Sequence, residues 1–193
     1  TWEMKVLEST WWFQWPSTIS ARLCSQSCSP VGILSRAMAA RINGKVIVAG
    51  PANSGKTCLI ERFVNDVYMG EDPAHGPTLG CDCLQKSLFV DDTEVHLFLY
   101  DTAGQERFAD MSASYYRIGE VCLLCFDMSN LASFDNTKWW MKKVTDHNNT
   151  CSFILVGTKE DLVSDSSLDL SPISQWAEEN GIPFFPTSAL KGG

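Results

Sequence analysis

Hydrophobic residues follow two different spacings through most of the chain. Short apolar runs flanked by turn-forming residues predict strands, and they lie at 45–49, 84–90, 95–100, 121–126, 152–157 and 183–185. Apolar positions three and four residues apart predict helices, and they lie at 55–66, 132–146 and 171–180. Because strands and helices alternate, we predict an α/β fold with a mostly parallel central sheet and helices on both faces. The hairpin-like pair within 84–100 adds one antiparallel edge strand.

Residues 1–41 differ in character from the rest of the chain. They contain Trp2, Trp11, Trp12 and Trp15, followed by a stretch rich in Ser, Ala and Arg without an acidic residue. We predict an N-terminal extension over 1–41 that is disordered or loosely packed, and one domain over 42–193. A second interpretation is a structural or partner-binding arm, which could pack on the domain through its tryptophans. Organelle targeting by this segment, whose composition is like that of a transit peptide, is the least favoured interpretation.

Composition and charge narrow the class of partner. The 193 residues have room for one domain with a real core. The net charge of −8 comes from the predicted domain, because residues 1–41 hold four basic and two acidic residues. Nucleic-acid binding depends on clustered Lys and Arg, so an acidic domain argues against nucleic acid as a partner. No apolar run approaches the roughly 20 residues that cross a bilayer.

Eight cysteines raise the question of disulfides or a metal site. Cys122 and Cys125 have C-x-x-C spacing, but they lie in a predicted strand, where residues three apart point to opposite faces. They therefore cannot share a metal or a bridge. We expect reduced thiols and a cytoplasmic protein.

The segment Gly50–Thr57 has the pattern G-x-x-x-x-G-K-T between a predicted strand and a predicted helix. Its glycines let the backbone curl so that N–H groups surround phosphate oxygens, and the helix N-terminus adds positive potential. Lys56 would reach the outer phosphates, and Thr57 would bind Mg²⁺ through its hydroxyl. The predicted phosphate-binding residues of this loop are Gly50, Asn53, Ser54, Gly55, Lys56, Thr57 and Cys58.

A second motif, Asp-Thr-Ala-Gly-Gln-Glu-Arg-Phe at residues 101–108, follows an apolar strand. It resembles the switch II motif of small GTPases of the Ras superfamily, and its last four residues are similar to the Rab branch in particular. The resemblance implies a Ras-like P-loop NTPase fold and a GTPase that is slow without an activating protein. It also implies that Asp101 supports Mg²⁺ through water, Gly104 donates its N–H to the γ-phosphate, and Gln105 orients the attacking water.

Two further segments resemble the family's guanine-binding motifs: Thr-Lys-Glu-Asp at 158–161 and Thr-Ser-Ala at 187–189. Asp161 can accept hydrogen bonds from N1–H and the 2-amino group of guanine, a donor pair that adenine lacks, so ATP is disfavoured. The resemblance places the Lys159 stem over the ring and the Ala189 N–H at O6. Thr158 replaces the family's usual Asn and keeps a hydroxyl that can tie this loop to the phosphate loop. The remaining guanine-binding candidates are Tyr68 and Ser188.

Switch I is the least regular part of the resemblance. The Pro-Thr-Leu-Gly-Cys-Asp-Cys sequence at 77–83 is similar to the Rab switch I, which makes Thr78 the candidate that binds Mg²⁺ and senses the γ-phosphate. Thr78 follows Thr57 by a few more positions than in Rab proteins. The added stretch, 70–77, is acidic and rich in Gly and Pro, so we expect a mobile loop.

The resemblance implies a monomeric GTP/GDP switch with Mg²⁺ as cofactor, acting in membrane trafficking. An exchange factor, an activating protein and effectors would bind switch regions 68–83 and 101–117. Tyr100 and Tyr115 would belong to the effector surface, where Cys83 replaces a third aromatic residue. The alternative is a nucleotide-loaded binding module or complex subunit that hardly cycles.

The sequence ends where the family begins its final helix and prenylated tail. We therefore expect a C-terminally truncated domain without that helix. Contact with endomembranes would be peripheral and made only through a tail that this chain does not contain.

Overall fold

The computed structural model describes residues 41–70, 76–78, 80–91, 93–163 and 169–192. Predictions for residues 1–40 and for the centre of the long switch I loop, 71–75, lie outside these residues. The strands are β1 (Arg41–Ala49), β2 (Cys81–Val90), β3 (Thr93–Thr102), β4 (Val121–Asp127), β5 (Ser152–Thr158) and β6 (Phe184–Pro186). The helices are α1 (Lys56–Asn65), α2 (Ala113–Ile118), α3 (Ala132–His147) and α4 (Ser171–Glu179), with 3-10 turns at Glu106–Ser112 and Glu160–Leu162. None of these helices is long and apolar enough to cross a membrane.

The described strands form one six-stranded sheet in the order β2-β3-β1-β4-β5-β6. β1 lies parallel to both β3 and β4, and β5 is parallel to β4 and β6. Only the edge pair β2–β3 is antiparallel, from Cys81 opposite Thr102 to Val90 opposite Thr93. The predicted mostly parallel sheet with one antiparallel edge is confirmed.

Both faces of the sheet carry apolar side chains, as expected for parallel strands covered by helices. On one face Ile47 and Leu124 pack with the fully buried Trp140 of α3 and with residues of α2 and α4. On the other face Val48 and Val156 pack with α1. Seven of the described apolar side chains that pack on this second face are only partly buried: Val46, Phe63, Val64, Leu84, Leu97, Leu123 and Ile154. Helices on both faces are therefore confirmed.

The sequence patterns did not predict α2, which spans six residues after a 3-10 turn. Its C-terminal end is held by the side-chain amide of Asn148, which donates to the carbonyls of Tyr116 at 3.2 Å and Gly119 at 2.8 Å. Gly119 also lies so close to β1 that a Cβ at this position would collide with the side chain of Ile47. This tight junction joins α2, α3 and β1.

Candidate functional site

The phosphate loop joins β1 to α1 and has the backbone that its sequence predicts. Gly50 has a φ of 148°, and a Cβ there would collide with the carbonyl of Cys125 in β4, so only glycine fits. Asn53 adopts a left-handed conformation, with a φ of 61°. The loop therefore curls against the carboxyl end of the sheet, immediately before the N-terminus of α1.

Lys56 is nearly buried in the centre of this loop. Its ammonium donates hydrogen bonds to the carbonyls of Gly50 at 3.0 Å and Pro51 at 2.9 Å. Burial lowers the pKa of Lys56, while the charge of nearby Asp101 acts in the opposite direction. A desolvated cation with only neutral hydrogen-bond acceptors is suited to hold phosphate oxygens.

Three oxygen-bearing side chains converge beside the loop. Thr57 donates from Oγ1 to Asp101 Oδ2 at 2.6 Å. Thr78 Oγ1 lies 3.1 Å from Thr57 Oγ1 and 3.5 Å from the same carboxylate oxygen. The structure thus brings together all three residues that we predicted as metal ligands, from α1, switch I and β3.

Asp101 is 1% exposed, and its Oδ1 has no hydrogen-bond partner among the described residues. Burial raises the pKa of Asp101, against the hydrogen bond from Thr57 and the charge of Lys56. A buried carboxylate oxygen without a partner, next to two hydroxyls, is a hard-oxygen donor set of the kind that Mg²⁺ uses with phosphates and water. The residues present fit that ion.

The two predicted switch II residues lie directly beyond this cluster. A Cβ on Gly104 would lie 2.7 Å from the backbone N of Ala52 and 2.5 Å from Lys56 Nζ, so Gly104 faces the phosphate loop. Gln105 follows, and its side-chain oxygen accepts a hydrogen bond from Nε of Arg107 at 2.8 Å. Ser54 of the loop is buried and its hydroxyl has no partner within the described part of the chain.

The two predicted guanine-binding segments are joined to each other. Ser188 donates its hydroxyl hydrogen to Asp161 Oδ1, and the Glu160 N–H donates to the Thr187 carbonyl at 3.1 Å. The Lys191 N–H donates to Ser188 Oγ at 3.1 Å. The carboxylate of Asp161 is therefore oriented by the segment that carries Ala189.

Thr158 connects the guanine side to the phosphate side. Its Oγ1 lies 2.7 Å from the Ser54 carbonyl and 2.8 Å from the Phe126 carbonyl, which share its hydroxyl hydrogen. The hydroxyl of Thr158 thus makes the tie to the phosphate loop that we expected of it.

The neighbouring Lys159 forms an ion pair that the sequence patterns did not reveal, with its ammonium 2.7 Å from Asp127 Oδ2. The available signal was the position of Asp127 at the end of a strand adjacent to β5.

Two predicted residues lie at the margin of the site. Cys58 is a half-buried residue of α1; burial raises its pKa, and the charge of Lys159 opposes that rise. Tyr68 follows α1 and is 39% exposed. For both, a nucleotide contact stays a prediction.

Comparison with known proteins places the chain in a family. A sequence model of the Ras family matches residues 45–193. The chain belongs to the Ras family. Ras-related protein Rab-1D of Dictyostelium discoideum is 37% identical over 146 residues, which are 75% of this chain and 70% of that protein. GTP-binding protein YPTM1 of Zea mays is 35% identical over 146 residues, covering 75% and 69%. Ras-related protein Rab-26 of Homo sapiens is 36% identical over 149 residues, covering 77% and 57%. This member of the Ras family is thus a small GTPase that resembles Rab proteins.

The residues predicted for an effector surface lie together in this Ras-family member. The rings of Tyr100 and Tyr115 are 5.2 Å apart between centroids. Cys83 lies directly opposite Tyr100 in the β2–β3 pair and is exposed. The six cysteines in the described part of the chain are free thiols. Two aromatic rings and one thiol therefore lie side by side, and their role as an effector surface stays a prediction.

A groove of about 440 Å³ lies elsewhere on the domain, between α3 and α4. Its floor includes Phe134 and Trp176, and the Lys138 ammonium lies over both rings at 4.9 Å and 5.9 Å. None of the predicted nucleotide-binding residues lines this groove. The candidate site is therefore defined by chemistry at the carboxyl ends of the strands and not by the size of a cavity.

Proposed function

We propose that this protein is a molecular switch that binds GTP and GDP with Mg²⁺ and slowly hydrolyses GTP. The observation that carries the proposal is the convergence of Thr57 and Thr78 on the buried carboxylate of Asp101, beside a phosphate loop. These side chains come from three separate segments, and one of their oxygens has no protein partner among the described residues. A ligand that supplies a cation and phosphate oxygens satisfies that arrangement.

Each residue has a role that follows from its position. Lys56 would hold the outer phosphates, and the N–H of Gly104 would donate to the γ-phosphate. When bound, Mg²⁺ neutralises charge that develops on the phosphates. Gln105 would orient the attacking water. Since Thr78 and Gly104 belong to different switch segments, loss of the γ-phosphate would release both.

Guanine selectivity follows from Asp161, whose carboxylate is oriented by Ser188. In competition against a fluorescent GDP, GTP and GDP should displace the label, whereas ATP should need at least about 10⁴-fold more. The Asp161→Asn variant should shift its preference toward xanthine nucleotides, because the amide reverses donor and acceptor. Equal displacement by ATP and GDP would refute the proposal.

Hydrolysis rests on Gln105. In single-turnover assays, Gln105→Leu should lower the rate about 10- to 100-fold and leave GDP affinity nearly unchanged, since the side chain acts on water and not on binding. Gln175→Leu, at an exposed position of α4, is the matched control.

A slowly cycling binding module is the second candidate function. The observation that favours it is the hydrogen bond from Arg107 to the Gln105 side chain, which occupies the oxygen that would position water. Equal turnover by the wild type and Gln105→Leu would support this candidate against the first.

The biological setting is proposed from the resemblance to proteins named Rab. We place the protein in membrane trafficking, as a cytoplasmic monomer that is peripheral on endomembranes. Its exchange factor, activating protein and effectors would bind residues 68–83 and 101–117, where Tyr100 and Tyr115 add aromatic surface.

A further inference from the structure

The ion pair between Lys159 and Asp127 connects the guanine side of the site to the end of a different strand. Lys159 Nζ lies 2.7 Å from Asp127 Oδ2, and the two side chains are 32% and 13% exposed. Asp127 is the last residue of β4, and it lies opposite Thr158 in the β4–β5 register. The lysine of a predicted base-binding motif therefore has a fixed partner outside that motif.

Asp127 is itself held by hydrogen bonds to Ser129 and Ser133. Its Oδ1 accepts hydrogen bonds from the backbone N–H of Ser129 at 2.8 Å and from the Ser129 hydroxyl at 2.6 Å. Its own backbone N–H donates to Ser133 Oγ at 2.8 Å. Burial raises the pKa of Asp127, but the hydrogen bonds from Lys159 and Ser129 outweigh that effect and hold the pKa below its ordinary value. The carboxylate thus favours its ionised form and accepts three hydrogen bonds, two from Ser129 and one from Lys159.

The stem of Lys159 runs between Asp127 and the phosphate loop. The residue has a left-handed backbone, with a φ of 59°, which is uncommon for a non-glycine residue. Its Cε lies 3.8 Å from the point where a Cβ on Gly55 would be. The four-carbon stem therefore passes beside the N-terminus of α1, next to the Thr158 hydroxyl that contacts Ser54. A planar base at Asp161 would meet this hydrocarbon surface.

We propose that Asp127 is a positioning residue for the nucleotide: it fixes Lys159 in one rotamer, so that the stem forms a wall of the base site before the base arrives. The proposal rests on the proposed nucleotide binding and adds a determinant of affinity outside the binding motifs. A free lysine side chain samples many rotamers, and binding would have to remove that freedom. A lysine paired with Asp127 has already lost this conformational freedom, so nucleotide binding does not have to remove it.

The role of Asp127 differs from that of Asp161 in what it affects. Asp161 recognises the edge of the base, so its removal changes which base is preferred. Asp127 acts on a hydrocarbon wall that touches any purine face. Its removal should therefore weaken GDP and inosine diphosphate by the same factor and leave their ratio unchanged.

The test is the affinity of the full chain for a fluorescent GDP, with Mg²⁺, in wild type and in Asp127→Asn. Freeing one rotamer-rich side chain should weaken binding about three- to tenfold. Asp135→Asn is the matched control, because Asp135 also pairs with a lysine, Lys138 at 3.2 Å, but on the exposed face of α3. Its affinity for GDP should equal that of the wild type.

A double-mutant cycle with Lys159→Met separates positioning from a purely structural effect. The methionine keeps an apolar stem and removes the ammonium, so Asp127→Asn should cause no further loss of GDP affinity in that background. If Asp127→Asn alone fails to fold, Lys159→Met and Asp127→Glu supply the comparison. Lys159→Met should then bind GDP more weakly, whereas Asp127→Glu, which keeps the charge, should retain part of the wild-type affinity.

Three results would contradict the proposal. Equal GDP affinity of wild type and Asp127→Asn would remove the positioning role and leave the proposed function intact. The same loss in the wild-type and Lys159→Met backgrounds would show that Asp127 does not act through the lysine. A wild-type chain that binds no GDP would overturn the proposed function together with this inference.

Discussion

At the scale of single residues, Asp101 combines burial with an oxygen that has no partner in the described part of the chain. Its pKa is raised above 3.8 chiefly by burial, so ionisation disfavours the folded state. The stability that Asp101 contributes is therefore fully present below the unfolded pKa and is lost as the pH rises through the folded pKa. Such a residue is tuned for a ligand and not for the stability of the empty protein.

Replacing Asp101 by Asn should separate the effect of the carboxylate on ligand binding from its effect on the stability of the empty protein. Without nucleotide and with a chelator, the variant should unfold at a higher temperature than wild type at about pH 7, because the amide carries no charge that burial disfavours. The difference should shrink as the pH falls below the unfolded pKa of about 3.9, where the wild-type carboxyl becomes neutral in both states. Thermal unfolding at several pH values measures this. With Mg²⁺ and GDP, wild type should unfold at the higher temperature. An empty Asp101→Asn variant that is less stable than wild type at neutral pH would contradict this expectation.

Thr158 is the second residue whose contacts predict a measurable effect. Thr158→Val preserves the shape and removes the hydrogen shared by the Ser54 and Phe126 carbonyls. Because buried acceptors would lose their donor, we expect GDP affinity to fall about three- to tenfold. Thr137→Val is the control: Thr137 is also buried, but its hydroxyl bonds within α3 to the Ser133 carbonyl. Titration of both variants with fluorescent GDP measures the effect. If Thr158→Val binds GDP as tightly as Thr137→Val does, the hydrogen bond from Thr158 to the phosphate loop is not needed for binding.

At the scale of elements, the junction of α2 with β1 leaves no room for added volume. Gly119→Ala would place a methyl group against Ile47, a fully buried residue of the strand that leads to the phosphate loop. Overpacking of this kind should lower the free energy of unfolding by about 1–3 kcal/mol. Among the described residues nothing lies within 4 Å of a Cβ on Gly76, so Gly76→Ala should be neutral. Urea denaturation of the two variants tests the difference, and an equal midpoint would show that β1 and α2 can move apart.

Comparison of the predicted and observed elements shows which parts of the fold the sequence patterns could predict. Strands such as β4 were predicted because buried apolar runs of five to seven residues have few other interpretations. β1 begins at Arg41, four residues before its predicted start at 45. The prediction missed this part because Arg41 and Asn43 are polar, and they belong to the strand only because they pair with β3. α2 is too short to show a helical period, and its end is fixed by Asn148 from a distant part of the chain.

The same limit applies to the candidate site. Residues within local motifs, such as Lys56 and Asp101, could be chosen from the sequence because their spacing carries the chemistry. Asp127 could not, because its role depends on the contact with Lys159, 32 positions later. Sequence patterns predict local structure, whereas contacts between residues of different strands can be identified only from the folded sheet.

At the scale of the whole molecule, the predicted nucleotide-binding residues come from separate segments that end neighbouring strands of the sheet. A ligand bound there would contact several segments at once and stabilise the native state by mass action. GDP with Mg²⁺, at about 100 times its Kd, should add about 2.7 kcal/mol. For a chain of this size that corresponds to roughly 5–10 °C in Tm. Differential scanning fluorimetry provides the measurement; ATP at the same concentration is the control and should produce no comparable shift.

The hydrogen bonds from the side-chain amide of Asn148 limit how the switch II region can move. The half-buried hydrogen bonds from Asn148 fix the carboxyl end of α2, whereas the preceding turn is held to α3 by the exposed ion pair of Lys143 and Asp110 at 2.7 Å. Exposed pairs of this kind contribute little. The same turn is also anchored by Ala109 and Ser112, which are buried, whereas Glu106 and Arg107 at its start are exposed. Displacements should therefore be smallest from Ala109 to Tyr116 and grow toward Gly104, so that a change at the phosphate loop would mainly move the exposed start of the turn at Glu106 and Arg107.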